Sequence, residues 1–133
     1  MMMLARPSVA LGFGVFFLCA VVCTHSSEMF SGPLWLLPDW LAGLAVVVAA
    51  VVSKRDWNVG RPYQIAGWAF MLSLLLESFL GNLEEWMDSS PADVGTDIVS
   101  LPQGAYLASI AVLGLVALGA LIATLRARAD ARA

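Results

Sequence analysis

The chain has 133 residues, 60% hydrophobic and 13% charged, with a net charge of −3 and a mean hydropathy of +0.83. Soluble domains are about half apolar and about a quarter charged, so this composition excludes an ordinary water-soluble enzyme and indicates one small membrane domain. Every basic residue lies beside an apolar run, at Arg6, at Lys54, Arg55 and Arg61, or in the tail Arg126, Arg128 and Arg132, so no nucleic-acid patch is present.

A helix crossing the hydrocarbon core needs about 20 mostly apolar residues. Hydropathy predicts four such spans, at residues 7–23, 36–52, 63–83 and 106–125, within a single transmembrane domain over residues 1–133. The expected fold is therefore all-α, an integral membrane four-helix bundle. Its basic loops precede the first span, separate the second from the third and follow the fourth, which by the positive-inside rule puts both termini in the cytoplasm. The two loops on the other side, 24–35 and 82–104, contain no Lys or Arg but carry Glu28, Glu84, Glu85, Asp88, Asp93 and Asp97.

The first span has a competing reading as a signal peptide, because Arg6 leads directly into a short apolar run. Val21, Val22 and Cys23 make a poor small-residue cleavage site, and Ala20, Val21 and Val22 do not make Cys23 a lipidation site. We read the segment as a retained helix.

The chain also suggests a duplicated two-helix hairpin. Arg6, Pro7 and Gly12 in the first span match Arg61, Pro62 and Gly67 in the third, while Leu37-Pro38 before Trp40 matches Leu101-Pro102 before Tyr106. Both copies start on the basic side, so their expected relation is a rotation about the membrane normal.

Local signals fit these spans. Pro7, Pro38, Pro62 and Pro102 suit a first helical turn, where a missing N–H costs nothing. Ser100 with Gln103 has capping-box spacing, and Asp39 complements the dipole at the start of the second helix. Trp35, Trp40, Trp57, Trp86, Tyr63 and Tyr106 lie near span ends, as an interfacial aromatic belt requires. Ala10 with Gly14, Ala45 with Ala49, Ala105 with Ser109, and Gly119 with Ala123 are small residues four apart that let helices approach. Residues 89–95 read as a polar turn.

The chemistry collects at the acidic end. Glu77 lies roughly 15 residues into the third span, about 20 Å from its basic end at 1.5 Å per residue, and an ionisable group at such a depth is a functional candidate. Glu77, Glu84 and Asp88 share one helical face by their spacing. With His25 and Asp39 they form the candidate proton or cation site; a solvated acidic helix end is the competing account of Glu84, Glu85 and Asp88. Cys19 and Cys23 share a face of the first helix and read as packing groups. Met29 and Met87 near His25 offer at most a soft metal set, and thioethers at membrane edges are commonly plain hydrophobes. No serine pairs with the single histidine as in a triad, so no catalytic residue, metal or cofactor is assigned.

These observations indicate a small multi-pass protein of the inner membrane, structural or accessory in type and without catalytic chemistry. Its expected partners are the bilayer and other membrane subunits or itself. The alternative is a small proton- or cation-coupled transporter using Glu77.

Overall fold

The computed structural model describes residues 4–25, 33–88, 93–94 and 101–127. Glu28, Met29, Asp97, Ser100, Arg128, Arg132 and turn residues 89–92 and 95 lie outside them, as do the expectations attached to them. The described residues form four helices: α1 Pro7–Thr24, α2 Leu37–Arg55, α3 Trp57–Asp88 and α4 Gln103–Arg126. A 3-10 turn, Pro33–Leu36, leads into α2, and two antiparallel two-residue strands, β1 Asp93–Val94 and β2 Leu101–Pro102, precede α4. The described chain is otherwise all-helical, and each of the four helices is long and apolar enough to cross a membrane.

Helix ends follow local chemistry. Pro7 and Pro38 occupy the first turns of α1 and α2, as expected, and Asp39 at the start of α2 and Lys54 and Arg55 at its end complement the helix dipole. The start of α3 differs from expectation. Asp56 alone separates α2 from α3, and its Oδ1 accepts from the backbone N–H of Asn58 at 2.9 Å and of Val59 at 3.4 Å. That cap starts α3 at Trp57 and leaves Pro62 inside the helix rather than in its first turn. Only the carbonyl four residues earlier loses a donor, on an exposed stretch near the helix start. Pro102 likewise ends β2 instead of opening α4.

So tight a joint requires a residue without a side chain where the two helices meet. Gly60 is that residue, since a Cβ placed there would collide with the backbone and hydroxyl of Ser53. The Ser53 hydroxyl is itself turned back to donate to the Ala49 carbonyl at 2.7 Å.

Each helix packs along the next, α1 on α2, α2 on α3 and α3 on α4. The buried residues recur at helical spacing: Ala10, Phe13, Phe17 and Val21 on α1; Ala42, Val46, Ala49 and Ser53 on α2; Gln64, Trp68, Met71 and Leu75 on α3; Ile110, Ala117, Ala120 and Thr124 on α4. Phe13 meets Trp68 edge to face across the centre, ring centroids 5.1 Å apart, a contact that contributes about 0.5–1.5 kcal/mol beyond burial. Gly14 and Gly43 let α1 and α2 cross closely: a Cβ on Gly14 would lie 2.8 Å from Val47, and one on Gly43 2.6 Å from Leu18. The outward faces are also apolar, with Phe16, Leu44, Val48, Leu76, Leu80, Val112 and Leu115 all exposed.

The residues equated by the sequence repeat have unlike surroundings. Gly12 is exposed, with nothing within 4 Å of an added Cβ, whereas Gly67 is buried against Ala45 and Val46. Pro7 starts its helix while Pro62 lies within one. Packing therefore gives the duplication no support.

Candidate functional site

The inward stripe of each helix is apolar through the middle; buried Ser53, Gln64 and Thr124 lie toward the basic end, and at the other end the polar side chains gather around a cavity. On α3 the stripe runs Gln64, Trp68, Met71, Leu75, Ser78, Asn82, Glu85, in steps of four and three. Such a 3.5-residue repeat keeps one seam facing the neighbouring helices. On α1 the stripe ends at His25, on α2 it begins at Asp39, and on α4 it begins at Tyr106. Because successive helices run in opposite senses, these four positions fall together.

They line a cavity of about 570 Å³. Its polar end carries His25, Asp39, Asn82, Glu85 and Tyr106, and its walls are Phe17, Val21, Leu75, Ile110 and Leu113. Local bonds fix several polar groups: the Thr24 hydroxyl donates to the Ala20 carbonyl at 2.9 Å, the Asn82 amide to Ser78 at 2.7 Å and the Ser109 hydroxyl to Ala105 at 2.8 Å. His25 closes α1 by donating its backbone N–H to the Val21 carbonyl at 3.0 Å, and it lines the cavity together with Asp39 of the first turn of α2.

The opposite end is closed. Arg61 donates through Nε to the Thr124 carbonyl at 3.2 Å and through Nη2 to the Leu125 carbonyl at 2.9 Å, capping the C-terminus of α4. Leu4 covers Gly119, 3.2 Å from where a Cβ would stand. Gln64, 1% exposed, and Trp68 lie between the two ends. Neither the Gln64 amide nor the Trp68 indole N–H has a hydrogen-bond partner among the described residues.

Of the residues singled out from sequence, the structure brings His25 and Asp39 into the cavity. Glu77 and Glu84 are exposed on the other side of α3, Glu77 beside the exposed Leu76 and Leu80, and neither lines the cavity. Asp88 ends α3. Glu77, Glu84 and Asp88 do share a face by their spacing, but for the first two that face points away from the other helices. The acid of α3 that lines the cavity is Glu85, itself exposed, with Ser78, Asn82, Tyr106 and Ser109 completing a polar lining that net hydropathy does not reveal. The available signal was register, since Glu77 lies two residues from Leu75 and so roughly 200° around the helix at 3.6 residues per turn. Among the described residues no three of His, Cys, Asp and Glu converge as a metal site. Cys19 is exposed and Cys23 half-buried, both as free thiols. Compared with family models, curated proteins and solved structures, the chain matches none.

Proposed function

We propose that this is a multi-pass protein of the cell inner membrane, a four-helix bundle with both termini in the cytoplasm, that serves an accessory role by binding at its outward cavity. The observation that carries this reading is the division of the molecule along its long axis. Arg6, Lys54, Arg55, Arg61 and Arg126 mark one end, Asp39, Glu84, Glu85 and Asp88 mark the other, and exposed apolar flanks lie between. Exposed apolar faces of that extent call for lipid or a partner subunit, and the basic end reads as cytoplasmic.

A cavity joining a polar end to an apolar wall is the ordinary form of a small-molecule site. Apolar walls with a few polar groups gathered at one end are what binding requires, and that is the reading the lining supports. A proton- or cation-coupled transporter is the second reading, favoured by the two acids in the cavity. Its working group is then Asp39 or Glu85 in place of Glu77, and the Arg61 end must open during the cycle.

Topology is the direct test. A reporter fused after Ala133 that is active only in the cytoplasm, on a chain that resists alkaline extraction from membranes, is the expected result. A reporter active only outside would reverse the assignment of both ends, and extraction at high pH would remove the membrane reading.

A further inference from the structure

The cavity has a shape and a sign that together select a class of ligand. Its volume of about 570 Å³ lies within the range of about 300–1,000 Å³ usual for small-molecule sites. A second depression of about 360 Å³ continues from it over the flank of the protein and shares Phe16, Ser109 and Leu113 with it. Phe16 is 58% exposed, so the lining reaches the surface. The reason is topological: α1 and α4 each pack along a neighbour in chain order but not along one another, so a slot remains between them. The polar end is thus reached sideways along an apolar path.

The sign is set by Asp39 and Glu85. Every described Lys and Arg lies at the far end of the helices, leaving His25 as the one basic side chain in the lining. A carboxylate or phosphate head would meet two acids there, whereas a cation is attracted by them. The ring of Tyr106 at the polar end adds to the selection, because an aromatic face attracts an alkylammonium cation.

We propose that this cavity is a binding site for a cationic amphiphile. An amine or quaternary ammonium head sits between Asp39 and Glu85, and an apolar tail lies in the slot between α1 and α4 along Phe16, Ser109 and Leu113. The proposal rests on the membrane reading above, since the tail is drawn from the lipid side.

The test uses the full chain in maltoside micelles and a dodecyltrimethylammonium probe carrying a photoreactive diazirine in its tail. Labelling is mapped by mass spectrometry. The expected result is saturable labelling near Phe16, Ser109 and Leu113, competed by plain dodecyltrimethylammonium but not by tetramethylammonium or dodecanoate. Asp39→Asn combined with Glu85→Gln raises the half-saturating concentration about tenfold. Glu77→Gln, the same change of charge on the outward flank, leaves it unchanged. Ser109→Trp, at an exposed position, blocks the slot and abolishes the saturable fraction without relying on the acid variants to fold.

Equal competition by dodecanoate or dodecylphosphocholine would overturn the charge argument, and equal competition by tetramethylammonium would overturn the tail. Unsaturable labelling spread over outward residues such as Val48 and Leu118 would overturn the site itself. Micelles expose both ends of the protein, so failure here leaves the topology reading standing, and failure of the reporter leaves this result standing.

Discussion

The Arg61 end and the His25 end are built from the same four helices with opposite outcomes. At the Arg61 end Gly60 lies on Ser53, Leu4 covers Gly119, and alanines at 117, 120 and 123 fill the inward stripe of α4, so the backbones close on one another. At the His25 end the corresponding stripes carry Phe17, Asn82, Glu85 and Tyr106, which hold the helices apart around a cavity. Residue size at the contact decides how closely two helices approach. Small residues let the helices meet at one end of this molecule, and larger aromatic and polar ones line the cavity at the other.

The largest effect expected from breaking this contrast is at the joint. Gly60→Ala drives a methyl into the Ser53 backbone and should destabilise the fold by about 3 kcal/mol or more. Gly81→Ala, in α3 at the open end with nothing within 4 Å, should be neutral or stabilising by up to about 1 kcal/mol. Thermal unfolding in detergent separates the two, and equal losses would mean the ends are packed alike. Next comes Gln64→Leu, which removes an amide with no partner among the described residues and should raise stability by about 1–3 kcal/mol. A loss of stability would show that the amide is bonded after all. Arg61→Ala removes two hydrogen bonds from a partly exposed guanidinium and should cost about 1 kcal/mol. Faster amide exchange confined to the last turn of α4 is its signature. The smallest effect is at Glu77, where Glu77→Gln on the exposed flank should shift stability by less than about 0.5 kcal/mol.

The four helices were legible from sequence because an apolar run of span length leaves few alternatives, and α1, α2 and α4 follow their expected ranges within a few residues. The early start of α3 was not, because it depends on the Asp56 cap, whose effect hydropathy does not register. His25 and Asp39 were legible as chemistry near helix ends. Glu77 stood out because it interrupts an apolar run, but interruption says nothing about which way a side chain points. That information lay in the four-and-three spacing from Gln64 to Glu85, which puts Glu85 on the side of α3 that lines the cavity and Glu77 off it. Tyr106 and Ser109 were hidden among signals for a membrane belt and for close helix packing. The cavity itself required knowing that α1 and α4 do not pack along each other.

One end of this chain is open and acidic while the other is closed by packing. In a background of Cys19→Ala and Cys23→Ala, single cysteines at Ser78 in the cavity and at Ser53 beneath Gly60 report on it through the rate of modification by charged methanethiosulfonates. Ser78→Cys is expected to react readily, and faster with a trimethylammonium reagent than with a sulfonate one of similar size, while Ser53→Cys stays inert until the protein unfolds. Equal reactivity at the two positions, or a preference for the anionic reagent at Ser78→Cys, would contradict it.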